Sequence, residues 1–425
     1  MPQAPRLRIG EGLDRRRAPL WLAVAIFFAY FGVAVIQPGL PGKFAFVDPL
    51  ILVICAYALA SMMYLGSKAT SGAVRMLPWI WLILLGSFLG LSAVGIPEWA
   101  MNNLARTMFA LLTFVCFWHI LSVTRLLRPA IWGTAAGVGL TATFLLIQSS
   151  RYRAAAFFQH PNYAGHFMVM GTVLLFVVAK RWYLKALAVV ALLIGLQQTS
   201  SFGAIAMLIA MLGVYAVRVL TRNTAILAAA LAMLAIGGLF MSTPQAQDLV
   251  ANEDTDFTFS QSLSGDRFER SGDTRLILWG QALEAWANEP LGIGPDGVRS
   301  RKVAVWRGNN LEIHSDSLGY LVERGVIGLV GFVGLWATLF LIAEKGGLAR
   351  VLIVGMVVQG LFRETMHYRH MWLLLALAFA LDYARPPPED DDGGDVVAGE
   401  LVDATPSTRA PADYFPGVAR WPKPS

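Results

Sequence analysis

His314-Ser315-Asp316-Ser317-Leu318-Gly319-Tyr320-Leu321-Val322-Glu323-Arg324-Gly325-Val326-Ile327-Gly328 passes from a polar loop into an apolar run that continues to residue 343. A run of that length matches the hydrocarbon thickness of a bilayer. The stretch therefore reads as a membrane helix with a His-Ser pair at its rim. Imidazole is the side chain suited to proton transfer near neutral pH, and an ionisable group at a membrane helix is by default a candidate for function.

The rest of the chain follows the same pattern. It is 56% hydrophobic and only 15% charged, with a mean hydropathy of +0.56, which excludes an ordinary soluble protein of 425 residues. Bilayer-length apolar segments are expected near 19–37, 47–65, 76–96, 104–123, 129–148, 162–179, 183–199, 201–219, 224–242, 316–343, 348–362 and 370–384. The expected fold is an all-α, polytopic integral membrane protein of about twelve transmembrane helices with one large extracytoplasmic loop. Its parts are a basic cytoplasmic N-terminus (1–18), nine spans (19–242), a periplasmic loop with an amphipathic helix (243–315), three spans (316–384) and a disordered cytoplasmic tail (385–425) rich in Pro, Asp and Gly. The first apolar run has no small-residue cleavage site after it, so it reads as an uncleaved span. Cys55 and Cys116 lie inside apolar runs and read as packing residues.

Basic residues set the orientation. One set of short loops holds sixteen, from Arg6 to Arg350; the alternate set holds five, Lys43, Arg151, Arg153, Arg363 and Arg369. This puts both termini in the cytoplasm and His314 on the outer side. The net charge of +6 belongs to span ends, so it implies no nucleic-acid partner. Arg151 and Arg153, with Arg106 at the outer end of the fourth span, lie against the rule. They are either ligands for an anion or tolerated surface charges.

In the long loop, Leu276, Trp279, Leu283 and Trp286 recur at helical spacing. Asp273 reads as the N-cap and Pro290 with Gly292 as the stop, which places Arg275 in the first turn. An anion bound there would complement the helix dipole; the alternative is pairing with Asp273 or Glu284. His314 also lies at a helix start, capped by Ser315 or Asp316. The dipole there favours a neutral ring able to act as a general base; the alternative is a polar marker of the membrane interface. His160 and His166 flank a helix start at Pro161-Asn162, with Asn162 as cap. His119 reads as packing. His367 and His370 fall in an outer loop and form no metal-ligand pattern. The acidic runs 253–256 and 389–392 read as solvated charge, and Gly292-Ile293-Gly294-Pro295 as a turn.

Taken together, these motifs resemble the bacterial O-antigen ligase and O-antigen polymerase family. His314-Ser315, nine residues and Gly325-Val326-Ile327-Gly328 are similar to its signature. So are Arg275, Trp279 and Ala282 with Pro290-Leu291-Gly292-Ile293-Gly294, then Phe158-Gln159-His160-Pro161-Asn162, and Trp372. One position departs: family members often carry Ser-Arg-Gly where this chain has Ser201-Phe202-Gly203. The resemblance implies a GT-C-like glycosyltransferase of the bacterial inner membrane, needing no metal or other cofactor. Its donor would be a glycan on undecaprenyl diphosphate. Its acceptor would be a sugar hydroxyl of lipid A-core (ligase) or of a lipid-linked repeat unit of O-antigen or exopolysaccharide (polymerase). His314 would be the base and Arg275 the diphosphate ligand, with Arg151, Arg153 and Arg106 as further contacts and Ser315, Asp316, His160 and Asn162 in support. The competing reading is a lipid-linked oligosaccharide flippase or other transporter, for which the two halves show no convincing internal repeat.

Overall fold

The computed structural model describes residues 17–35, 47–92, 97–148, 154–158, 160–219, 265–306, 309–310, 313–363 and 365–384. Eight helices come first: α1 (Leu20–Val35), α2 (Asp48–Met62), α3 (Lys68–Ser92), α4 (Glu98–Val123), α5 (Leu127–Ile147), α6 (Pro161–Val178), α7 (Trp182–Thr199) and α8 (Phe202–Val219). After an interval come α9 (Gly265–Asn288), the single turn α10 (Gly297–Ser300), an antiparallel pair β1 (Val305–Trp306) and β2 (Asn309–Asn310), α11 (Asp316–Ile342), α12 (Leu348–Gly360) and α13 (Arg369–Tyr383). Apart from that two-residue ladder, the regular elements among the described residues are helices. Eleven of the expected spans coincide with helices; the expected span at 224–242 and the tail at 385–425 lie outside the described residues. Among the described residues, six helices are long and apolar enough to cross a membrane, α3 to α7 and α11; α1, α2, α8 and α12 are apolar but shorter.

The apolar pattern explains which helix sits where. α13 is buried from Leu373 to Leu381 on every side, and a helix apolar all round belongs in the middle of a bundle. Its ends are pinned by polar bonds. Tyr30 Oη donates to the Leu373 carbonyl at 2.9 Å, and the Trp372 indole donates to the Met366 carbonyl at 2.7 Å. Asp382 accepts from the amides of Leu348 and Ala349, both at 2.8 Å, and so caps the start of α12 with a charge of the favourable sign. Outer faces carry exposed Phe28, Trp81, Phe88, Leu187, Leu193 and Val333, as a surface in contact with lipid requires. His119 is held between Ser61 Oγ (2.7 Å) and Ser67 Oγ (2.8 Å), which ties α4 to the α2–α3 loop and accounts for it as a packing residue.

The central departure from regularity is in α11. Gly325 has φ 64° and ψ −173°, so the helix is broken one-third of the way along. Such a break would leave carbonyls without partners inside an apolar bundle, at a cost of several kcal/mol each. The loop after α9 takes them: Ile293 N–H donates to the Val322 carbonyl at 3.0 Å and Gly294 N–H to the Glu323 carbonyl at 2.9 Å. The Gly292-Ile293-Gly294 segment is therefore a turn, as expected, and also a cap on a broken membrane helix. α3 closes over the same break. A Cβ on Gly86 would lie 2.5 Å from the Arg324 carbonyl oxygen, so only a bare backbone fits there.

α9 sits on a small second core of Leu278, Ala282, Ile293, Val298, Ala304, Ile313 and Val322. The helix is amphipathic as expected, but its stripe is shifted: Trp279 and Trp286 pack on the core, whereas Leu276 and Leu283 are exposed. Its start also differs. Helix runs from Gly265, so Arg275 stands mid-helix rather than in a first turn capped by Asp273. A single interior glycine such as Gly272 costs about 1 kcal/mol, too little to stop a helix. The dipole argument for Arg275 is thereby removed.

A methyl group at Gly325 would meet the Pro290 carbonyl oxygen at 2.8 Å, in a conformation essentially reserved for glycine. Gly325→Ala is expected to lower stability by about 2–4 kcal/mol. Gly280→Ala, at an open helical position, should be neutral or slightly stabilising. Thermal unfolding in detergent compares the two; equal melting temperatures would contradict the docking described here.

Candidate active site

The start of α11 carries the first element of the site. Ser315 is the N-cap, its Oγ accepting from Leu318 N–H at 3.4 Å. Asp316 is not the cap. It is buried and accepts from both the amide (2.9 Å) and the hydroxyl of Thr365, in the loop between α12 and α13. That pair fixes the loop against the helix start. On the other side, the Trp279 indole donates to the Ile313 carbonyl at 2.9 Å, which fixes α9 against the residue before His314. His314 is thus clamped from both flanks.

His314 itself has φ 55°, a left-handed conformation that costs a histidine roughly 1 kcal/mol and persists only where neighbours impose it. The residue is half-buried, with its Nδ1 shielded from solvent. Its pKa is lowered to about 4, first by burial and then by the positive charges of Arg363 and Arg275. The imidazole is therefore neutral across the physiological range and open to protonation by a reacting hydroxyl. To the helix dipole that favours a neutral ring, dehydration and two guanidinium groups add their effect.

Arg275 lies one helical turn before Trp279, on the same face of α9. Its guanidinium stacks 5.4 Å from the centroid of Phe362, and its Nε is buried without a hydrogen-bond acceptor. Among the described residues it has no carboxylate partner. Burial, then the charge of Arg363, lowers its pKa. Arg363 follows Phe362 in the α12–α13 loop and is buried. It donates to Tyr163 Oη (3.2 Å) and Tyr368 Oη (3.4 Å), and lies 4.8 Å over the Tyr163 ring. Arg275, His314 and Arg363 thus converge from three separate segments.

The supporting residues fall into place unevenly. His160, not Asn162, is the N-cap of α6: its Nδ1 accepts from the Asn162 amide at 3.1 Å, while Pro161 occupies the first helical position. Pro suits that position because it has no N–H to satisfy, so the cap falls at His160, two residues before Asn162. His160 borders the site through Tyr163, whose ring centroid is 5.8 Å away. Arg106 has Arg369 as its electrostatic neighbour, and Arg369 pairs with Asp48 at 3.0 Å. Among the described residues no contact joins Arg106 to His314, Arg275 or Arg363. Arg151 and Arg153 lie outside the described residues.

Sequence reasoning passed over two features. Arg363 was visible only as one of five basic residues on the rare side, beside aromatics. The second is the buried Glu323–Arg324 pair (3.2 Å) within the opening motif. Arg324 also donates to Asn103 Oδ1 (2.8 Å) and Ser87 Oγ (3.1 Å) and lies 4.3 Å over Tyr320. The pair borders a polar cleft that reaches Asp316, Thr107 and His367. Its signal was a Glu-Arg dipeptide inside an apolar run, which a membrane helix retains only if both charges are paired. Among the described residues no group of three or more His, Cys, Asp or Glu is arranged to hold a metal ion.

The architecture defines a class: a multi-helix membrane protein with a neutral histidine, a half-buried Arg275 and a buried Arg363 at one end of its bundle. A family model described as O-Antigen ligase matches residues 186–333, a region that contains Arg275, the Pro290–Gly294 turn, His314 and Gly325. The match covers less than half of the chain and shows that this region is similar to the O-antigen ligase family model. No curated protein matches the chain.

Trp279→Phe keeps the aromatic packing and removes the bond to Ile313. The stranded carbonyl is expected to cost about 1–3 kcal/mol, read as a lower melting temperature. Turnover should fall further than substrate affinity, because His314 loses one of its two clamps. A variant with normal turnover would show that this bond does not position the ring.

Proposed function

We propose that this protein transfers a glycan from undecaprenyl diphosphate to an acceptor sugar hydroxyl at the periplasmic face of the bacterial inner membrane, with both termini in the cytoplasm. The observation that carries the reading is the convergence of neutral His314 and half-buried Arg275 within the region matched by the O-antigen ligase family model. The acceptor is lipid A-core if the protein is a ligase, or a lipid-linked repeat unit if it is a polymerase.

In the step proposed, the acceptor oxygen attacks the anomeric carbon of the donor sugar. A new C–O bond forms, the bond from that carbon to the diphosphate oxygen breaks, and the acceptor proton passes to His314. Arg275 stabilises the charge that develops on the departing diphosphate, and no metal ion is required for that task. Ser315 and Asp316 hold the ring in place. Arg106, Arg151 and Arg153 remain proposed as outer contacts for the donor.

The bound donor also tunes the base. Burial first, and then the charges of Arg363 and Arg275, hold the His314 pKa at about 4. A diphosphate offsets their charge and stabilises imidazolium, so the pKa rises once the donor is bound. The acid limb of kcat/KM, which reports the free enzyme, is expected near pH 4. The acid limb of kcat should lie higher, because it reports the donor complex. Coincident limbs near 6.5 would show an ordinary solvated histidine.

Purified protein with undecaprenyl-diphosphate glycan, and with core lipid or a lipid-linked glycan as acceptor, tests the reaction directly. His314→Ala is expected to lose about 10²–10⁴-fold in rate while folding normally. Full transfer by that variant would reject His314 as base. Export of donor with no new glycosidic bond would instead favour a flippase, and loss of activity to a chelator with recovery on adding a divalent ion would reject the metal-free step.

A further inference from the structure

α9 buries one face on the small core that includes Leu278, Ala282 and Val322. Its opposite face is apolar as well. Leu276, Gly280, Leu283 and Ala287 follow one another at helical spacing, so they lie along one side, and all four are exposed. Leu291, in the loop that follows, continues the row and is also exposed. A Cβ added at Gly280 would meet nothing within 4 Å, so no described segment covers the middle of the row. A helix that borders only water carries polar residues on its outer side.

The foot of the row joins the surface that faces lipid. A Cβ placed on Gly325 would lie 2.9 Å from the Leu291 carbonyl carbon, so this loop touches α11 at its break. The next residue of α11, Val326, is exposed, and so are Val330 and Val333 further along the span. The row on α9 is therefore continuous with the lipid-facing side of α11. Cations mark the same place: Arg299, Arg301 and Lys302, in and just after α10, are exposed. Arg301 donates twice to the Glu289 carboxylate, at 2.6 and 2.8 Å, which fixes this basic turn against the end of α9. An apolar row beside lysine and arginine suits a membrane interface, with the row among acyl chains and the cations at phosphate headgroups. A protein partner would have to displace lipid from Val326 and bring carboxylates to the cations.

We infer that the exposed face of α9, with the basic turn at its foot, rests in the leaflet on the His314 side of the membrane. Its leucines lie among acyl chains, and Arg299 and Lys302 meet anionic phospholipid headgroups. α9 is then an interfacial helix and not part of an aqueous loop. Arg275 precedes Leu276, so the lipid contact also holds that guanidinium at the membrane surface. This placement does not depend on the transfer reading.

The test uses the full chain with the buried Cys55 and Cys116 replaced by Ala, in vesicles of phosphatidylcholine and phosphatidylglycerol. A bimane label is attached at Leu283→Cys, at Leu291→Cys or, as the lipid reference, at Val333→Cys. The quenchers are phosphatidylcholine brominated in its acyl chains and aqueous acrylamide. At both leucine positions, quenching by brominated chains is expected within about threefold of that at Val333, with little quenching by acrylamide. Should either labelled protein fail to fold, Ala287→Cys on the same row is the position to read. Arg299→Gln/Lys302→Gln should lower brominated-lipid quenching at Leu291 by about twofold, and so should leaving out phosphatidylglycerol. Strong acrylamide quenching at Leu283 and Leu291 would overturn the placement by putting the row in water. Protection from both quenchers would overturn it as well, because a second copy or another protein segment would then cover the row. Unchanged quenching in the Arg299→Gln/Lys302→Gln protein would overturn the headgroup contact.

Discussion

The break in α11 at Gly325 organises everything around it. A membrane helix with a non-helical residue needs partners for the carbonyls it frees. Those partners are the amides of Ile293 and Gly294. Because they belong to the loop that follows α9, satisfying the break also fixes the end of α9, and thereby the small core on which Trp279 and Arg275 ride. One backbone requirement in the bilayer region thus sets the position of a cation outside it. The glycines of the Pro290–Gly294 turn are needed for the same reason: with φ of 101° and 86°, and the Glu323 carbonyl 2.5 Å from a Cβ placed on Gly292, no larger residue could approach the broken helix.

The site is assembled from short polar bonds at helix ends. Asp316 with Thr365, Trp279 with Ile313, and His160 with the Asn162 amide each tie a helix terminus to a loop. Helix termini have unsatisfied backbone groups, so side chains that meet them are stabilising in themselves. The arrangement then concentrates cations beside a dehydrated imidazole, at the expense of local electrostatic repulsion.

Much of this was legible in the residues. The spans, their approximate boundaries and the special standing of His314 follow from apolar run length and from an ionisable group at a helix rim. The amphipathic helix of the long loop was legible as an element but not in detail. Leu276 and Leu283 are exposed while Leu278 and Ala282 are buried, because the stripe is chosen by the surface it packs on, and that surface includes Ile293 and Val322 from distant segments. The start of α9 was misplaced because Gly272 and Asp273 read as a boundary that the helix crosses. Arg363 was hidden for a simpler reason: nothing within its own loop distinguishes a buried arginine from a surface one.

Local sequence alone determined that this is a multi-helix membrane protein, that α11 begins at a capped His-Ser-Asp junction, and that a histidine there is worth examining. Those conclusions rest on residue type and on spacing along one chain segment, and both are readable in order. Only the tertiary structure decided that the imidazole is neutral by dehydration, that Asp316 serves a distant loop instead of capping its own helix, and that Arg275 and Arg363 share one space. Each of these depends on segments far apart in sequence, and a charge's environment is set by what packs against it, not by what precedes it.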